Sequence, residues 1–522
     1  MQADLVLYNG QVYTMDAAAP RAQAVAIAGN RVLAVGDDDA MQALLAPGGR
    51  AVDLRGWAVV PGFTDSHLHF MSYGLSLKEI DLAEVPTLEE ALARVAARAA
   101  ETPAGQWLTG RGWDHSLWAG GDFPSRHDLD RVAPEHPVWL RRKCGHAGWA
   151  NTRALELAGV TSETPDPPGG AIDRDPATGQ PTGIFKERAM DLLFCLFQDP
   201  PLEEAAEAIE AAAANAHAQG LVGVHTMEGA TAFRAFQKLH ADGALNLRVL
   251  MQIPEENLGA AAQAGLQSGF GDERLRIGGV KAFADGALGA RTAYMLEPFE
   301  GEPDNYGIPV ADADHLRELV RTASRAGIVA FVHAIGDRAN REVLDAIEAS
   351  RRAGEGLHLR HRIEHTQVLH PDDIPRLSEL GVIASMQPTI TGGEMYKRQR
   401  LGIERARRVD MVRTLLTKGA FLCWGTDWPV SPLNPMYNLN ELVYRVYPEQ
   451  RLTMAEAIKH YTLGSAYASF EEELKGSLEV GKLADMVVLS QDLLRPNPKN
   501  IPQTEVLYTI LGGTIVYDRS LE

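Results

Sequence analysis

Along most of this chain, short apolar runs closed by glycine, proline or charged residues alternate with longer segments whose apolar side chains recur every third or fourth position. The first kind predicts strands buried on both faces, and the second predicts amphipathic helices. The strand-like runs are 59–67 (VVPGFTDSH), 221–227 (LVGVHTM), 247–253 (LRVLMQI), 276–285 (RIGGVKAFAD), 328–336 (IVAFVHAIG), 361–368 (HRIEHTQV), 382–389 (VIASMQPT) and 420–429 (AFLCWGTDWP). Between them, 312–326 reads as a helix with Leu316, Leu319, Val320 and Ala323 on one stripe and Gly327 to end it. The same arrangement predicts a helix over 404–418, with Val409, Val412, Leu415 and Leu416 before Gly419. Eight such units over residues 59–470 predict an α/β fold, a (β/α)8 TIM barrel, whose chemistry sits at the C-terminal ends of its strands.

The ends of the chain have a different pattern. Residues 1–58 carry ADLVLYNGQVYTMD and AVAIAGNRVLAVGD, and residues 471–522 carry GSLEVGKLADMVVLSQD and EVLYTILGGTIVYD. Alternating β-type residues around turn residues predict small antiparallel pairing there, with the two termini combined into one β domain. Residues 71–220 form an oversized connection after the first barrel strand, with a strand-like HPVWLRRK, a Pro/Gly-rich stretch and an Ala-rich helical segment at 201–220. A connection this long is expected to be a lid that shapes the substrate site.

Composition narrows the class. The 522 residues are 45% hydrophobic and 23% charged, the balance of a globular protein, and the net charge of −19 argues against nucleic acid or an anionic membrane as partner. Cys144, Cys195 and Cys423 are odd in number and far apart, so no disulfide framework or thiolate zinc site is expected, and a cytoplasmic location follows as the expectation. No leader-like or membrane-spanning apolar run is read.

The chemistry enters with SHLHF. His67 and His69 are two residues apart, so on a strand they share a face and can reach one cation. An isolated pair of this kind is more often a solvated strand end. Here Lys281, His333, His365 and Asp427 occupy the corresponding ends of other strands, and a barrel brings such ends together. Nitrogen and oxygen donors without thiolate fit zinc, with manganese, iron and nickel left open.

The segments PGFTDSHLHF, GVKAFADGALGARTA, FVHAIGDRAN, RIEHTQ, WGTDWPV and GSLEVGKLADMVVL resemble the amidohydrolase superfamily over nearly the whole chain. DGALGAR, HAIGD and the long insertion look most like its amidohydrolase family 3 branch. The resemblance implies a small β-sandwich built by both termini and a carboxylated Lys281 bridging two metal ions. It puts His67, His69 and Asp427 on one ion and His333 and His365 on the other. Glu187 is the rival bridging ligand, and Lys281 as a cationic substrate anchor is the plainer reading. Asp427 would act as general base, and His146 would hydrogen-bond the developing oxyanion. Arg291, Trp113 and Asp114 are the substrate-binding candidates, weighed against an ion pair for Arg291 and a lid core for Trp113, Trp118 and Trp149. The implied activity is hydrolysis of a non-peptide C–N bond in a small-molecule amide, such as an N-acyl or N-formyl compound, and a homodimer is a fair expectation. The alternatives are a cyclic amidase, a heterocycle deaminase in which Asp337 replaces the usual glutamate, and a non-catalytic metal-binding scaffold.

Overall fold

The computed structural model describes residues 1–143, 147–167, 170–197, 199–389, 393–495, 498 and 500–521. The chain divides into two compact units, Met1–Tyr73 with Ala205–Glu522, and Gly74–Glu204.

The first unit contains a nearly closed barrel of parallel strands, here β1 (Phe63–Leu68), β2 (Leu221–Met227), β3 (Arg248–Pro254), β4 (Leu275–Phe283), β5 (Val329–Ala334), β6 (Arg362–His365), β7 (Ile383–Met386) and β8 (Phe421–Trp424). Each pairs with the next in sequence order. The helix Ala313–Ala326 follows the expected pattern in detail: the Asp312 carboxylate accepts from His315 N at 2.8 Å, and Gly327 ends it at φ 72°. Its apolar stripe is buried while the opposite face is exposed.

Two expectations fail. The run 59–67 is not one strand: Ala58–Pro61 pairs with Met486–Leu489 in a terminal sheet, and β1 begins at Phe63. Gly62 marks the break, because a Cβ there would lie 2.5 Å from Val222, so only glycine admits β2 this close. The helix expected over 404–418 is two helices, Glu394–Ala406 and Val412–Thr417. Between them Asp410 adopts φ 52°, gives its N–H to Gln367 O at 2.8 Å, and accepts from Arg445 at 3.2 Å with Lys397 Nζ at 3.5 Å. A buried charge cluster overrides the helical periodicity.

The termini build a four-stranded and a six-stranded sheet, and both are mixed rather than antiparallel. Ala3–Tyr8 runs parallel to Leu45–Asp53, and Gln11–Tyr13 runs parallel to Ala58–Pro61. Asn9 at φ 57° sends the chain from one sheet to the other, so the first NG does not close a hairpin. The hairpin at Gly29–Asn30 does form. Leu7, Val25, Val59, Met486, Val488 and Ile510 share one apolar cluster, which ties the N-terminal strands to the C-terminal ones. Arg248, at the start of β3, meets Asp485 through bonds of 2.5 and 2.7 Å, both side chains buried.

The second unit carries a six-stranded sheet whose inner strands are Leu108–Trp113, Val138–Arg142, Ala147–Ala150 and Pro181–Glu187. Its core combines aliphatic side chains with three tryptophans, Trp113 stacked on Trp118 and edge-on to Trp149.

Candidate functional site

β1 carries His67 near its end, almost fully buried, and the ring is held from behind. His67 Nδ1 meets Glu364 Oε2 at 2.5 Å, and Glu364 receives Arg362 Nε at 2.9 Å and Nη2 at 3.2 Å. A carboxylate that accepts from Nδ1–H fixes the tautomer and leaves the Nε2 lone pair for the other side of the ring. On that side Asp427 Oδ1 lies 3.4 Å from Nε2, and the His365 ring centroid is 4.9 Å from that of His67. His67, His365 and Asp427 each present a ligand atom within 4.8 Å of the others.

The electrostatics suit a cation. Burial and Lys281 push the His67 pKa down, yet Glu364 and Asp427 outweigh them and raise it. Burial opposes ionisation of Asp427, but His67, His69 and Lys281 hold its carboxyl below the usual range. Burial, and then His333, His67 and Lys281 beside it, drive the His365 pKa well below its ordinary value. Its Nδ1 is buried without a hydrogen-bond partner, a cost that a bound ion would remove. Two neutralisable imidazoles, one ionised carboxylate and an orphaned ring nitrogen are a fitting donor set for a divalent metal.

The other expected ligands surround this trio. His69, just beyond β1, has Nε2 4.0 Å from Asp427 Oδ1. His333, on β5, lies 4.4 Å from His365 by ring centroids. Its Nε2 donates to Gly286 O at 3.0 Å, which leaves Nδ1 available, and burial lowers its pKa to about 4. Lys281, on β4, is buried with Nζ 4.7 Å from the Phe283 ring, and burial lowers its amine to about 8.

Four acids that the sequence reading passed over hold the site in place. Glu364 fixes His67. Asp65 joins the barrel seam, accepting from His67 N at 3.0 Å and from Thr426 Oγ1 at 2.7 Å, and burial pushes it up to about 6. Asp285 accepts from Tyr294 N, Ile335 N and Gly336 N at 2.8 to 2.9 Å, pinning the turn after His333, and burial pushes it up to about 7. Glu228 accepts from Met71 N and Ser72 N at 2.8 Å, anchoring the start of helix Phe70–Ser76 beside His69. The available signal was an acid placed within, or just after, an otherwise apolar strand.

Residues 50–517 match the model of the amidohydrolase family. The chain belongs to the amidohydrolase family. Protein LONG AFTER FAR-RED 3 of Arabidopsis thaliana is 35% identical, covering 99% of this amidohydrolase and 92% of the relative. N-substituted formamide deformylase of Arthrobacter pascens is 29% identical over 99% of each chain. The crystal structure of an uncharacterized metal-dependent hydrolase from Pyrococcus furiosus superposes with a TM-score of 0.79 at 32% identity, covering 94% of this chain and 100% of that one. This amidohydrolase is a hydrolase acting on carbon–nitrogen bonds. No helix among its described residues is long and apolar enough to cross a membrane.

The remaining candidates of the amidohydrolase are engaged in contacts of their own or belong to the second unit. Arg291, at φ 56°, ion-pairs with Glu302 and donates to Gln399 O at 3.2 Å. Trp113 is fully buried in the second unit, its Nε1–H donating to Leu140 O at 2.9 Å. Asp114 accepts from Arg142 at 2.6 Å and from Ser116 Oγ at 2.7 Å. Glu187 ends a strand of that unit at φ 51°. Asp337 accepts from Leu296 N at 2.8 Å, a loop-fixing contact. His146 lies outside the described residues.

Proposed function

We propose that this amidohydrolase cleaves the carbon–nitrogen bond of an N-acyl or N-formyl small molecule, using divalent metal held at the cluster that includes His67, His365 and Asp427. The observation that carries the reading is the convergence of these three donors from three strand ends, with His365 Nδ1 unpartnered. Zinc suits the donor set, with manganese, iron and nickel as alternatives. His69 would join His67 and Asp427 on one ion and His333 would join His365 on a second, with a carbamate on Lys281 as the shared ligand. The lowered amine supports the carbamate, because only neutral lysine reacts with carbon dioxide and an ammonium cannot ligate. Glu187 is the alternative bridge. The relative named N-substituted formamide deformylase, similar over its full length, supports a formyl or acyl substrate.

When bound, the ion polarises the substrate carbonyl and acidifies a water. Asp427, ionised in this setting, takes the proton from the attacking water at its carboxylate. Oxygen bonds to the carbonyl carbon, the carbon–nitrogen bond breaks, and Asp427 returns the proton to the departing amine. Glu364 keeps His67 in the ligating tautomer. His146 is assigned to the carbonyl oxygen from its sequence context alone. Within the same reading the terminal sheets form a β-sandwich, and Arg291, Trp113 and Asp114 are the substrate-binding candidates.

The test is release of free amine from a panel of N-formyl amines, N-acyl amines and cyclic amides by metal-loaded and chelator-stripped protein. Metal-dependent amine release from the acyclic amides is expected. Ammonia from an aminated heterocycle with no amine from any amide would overturn the reading in favour of a deaminase.

A further inference from the structure

Beside the metal-ligand cluster, the first unit carries an open pocket of about 700 Å³ whose lining includes His69, Met227, Gln252, Pro254, Lys281 and Phe283. Gln252 is the exceptional member. It is fully buried on β3, opposite Gly279 of β4, while Pro254 two residues on lies opposite Lys281. Both its Oε1 and its Nε2 are buried without a hydrogen-bond partner among the described residues. A carboxamide with neither group satisfied costs stability, and natural interiors rarely keep one without use. Replacing it by an apolar side chain of the same length would remove that cost.

Resting on the hydrolase reading above, we infer that Gln252 is a substrate-specificity residue, whose Oε1 accepts the N–H of the substrate's secondary amide while Nε2 donates to a substrate oxygen. The substrate class is thereby narrowed to amides that keep an N–H. Tertiary amides and esters leave the Gln252 oxygen desolvated and unpaired, which is how a buried polar site rejects an analogue that only lacks a donor. The pocket's wall adds a second selection. Among its described lining residues, Glu228, Glu255 and Glu256 stand with Lys281, His69 and His315, the last paired with Glu255, so Glu256 adds an acidic group on the wall that favours a neutral or amine-bearing substrate over one with a carboxylate tail.

Three probes of near-equal size separate the terms: N-butylformamide, N-butyl-N-methylformamide and butyl formate. Each is measured with metal-loaded wild type and with Gln252→Met, which keeps length and loses both polar groups, alongside metal content and thermal unfolding. The wild type is expected to favour N-butylformamide over the N-methyl analogue in kcat/KM by about tenfold to a hundredfold, the penalty of one unpaired buried group. Gln252→Met should lose that preference, hold the same metal, and unfold at the same or a higher temperature. A structural glutamine would instead show a lower unfolding temperature with the preference intact, and that result overturns the inference while leaving the hydrolase reading standing. If the wild type cleaves none of the three, the hydrolase reading for this class fails. The Gln252 assignment is then decided by ligand-induced thermal shifts with N-butylformamide: a shift lost in Gln252→Met supports it, and an equal shift in both proteins overturns it.

Discussion

Glu364→Gln probes the most buried charge in the site. Glu364 and Arg362 are both 0% exposed, and the guanidinium's other acceptors, Ser66 O, Ser385 Oγ and His225 Nδ1, at 2.8 to 2.9 Å, are all neutral. The variant keeps the shape and one acceptor oxygen but turns the other into an NH2 group. If the retained oxygen faces Arg362, the NH2 faces His67 Nδ1 and favours the tautomer with the proton on Nε2, where the metal lone pair should be. If it faces His67, the NH2 faces a buried guanidinium. Breaking a buried pair costs about 3 to 5 kcal/mol, and the conserved shape puts this variant near the lower figure, about 3 kcal/mol. Loss of the group that orients a ligating histidine weakens metal binding by about 10- to 100-fold.

The assay has two arms: guanidinium chloride unfolding of the metal-free protein, and metal affinity by competition with a chromogenic chelator. Both midpoint and affinity should fall in Glu364→Gln. An unchanged affinity with a lowered midpoint would confine Glu364 to holding Arg362. Unchanged values in both arms would refute the argument for its placement behind His67.

Asp427→Asn retains a neutral oxygen donor, so it should hold metal measurably while losing about 10²- to 10⁴-fold in kcat, the usual worth of a proton carrier; normal turnover with metal present would remove Asp427 from that role. Lys281, with its amine lowered to about 8, should make activity depend on bicarbonate, with restoration after decarbonation faster as pH rises toward that value. A bicarbonate-indifferent enzyme, or an active Lys281→Arg, would count against the carbamate. Glu456 is held down from 4.5 to about 2, chiefly by Arg413 at 2.6 and 2.7 Å and also by Thr453, whose capping box starts helix Met454–Tyr461. A depressed carboxyl contributes stability that is complete above its unfolded value and is lost as pH falls toward the folded one. The stability deficit of Glu456→Gln should therefore shrink between pH 4.5 and about 2, and a deficit independent of pH would contradict the pairing.

Strand composition made the barrel legible, because parallel strands covered on both faces read as continuous apolar runs. The same continuity hid the break at Gly62, where two apolar strands of different sheets abut with one glycine between them. Ion pairs among Asp410, Arg445 and Lys397 were equally invisible, since they join positions far apart in the chain. At the site, the metal-competent residues and their convergence at strand ends could be read, and the acids that hold them in place could not. Period-2 alternation puts Arg362 and Glu364 on one face of β6 and His365 on the other. In the structure His365 nevertheless joins His67 and Asp427, because its φ of 75° takes it out of the strand conformation. The strand-end pattern thus finds His67, His69 and His365 alike, while nothing in it marks Glu364, which acts from behind His67.

That reversal also bears on how the donors are held. His365 at 75°, Thr366 at 47° and Asp427 at 51° are non-glycine residues with positive φ at the ends of β6 and just after β8, each a cost of about 1 kcal/mol or more. Such conformations persist only where their surroundings leave no alternative. Asp427 N donates to His67 O at 2.6 Å, and a Cβ at Gly425 would fall 2.6 Å from His67 N, so β8 is drawn against β1 as closely as backbone allows. Thr366 Oγ1 donates back to Ile363 O at 3.0 Å, and Gln367 O accepts from Asp410 N at 2.8 Å, which ties the bent end of β6 to the charge cluster that interrupts the neighbouring helix. The interrupted helix and the left-handed histidine are thus parts of one constraint. Free to relax, His365 would return to strand geometry and turn away from His67, so the donors are set by the barrel's own packing rather than gathered by the ion.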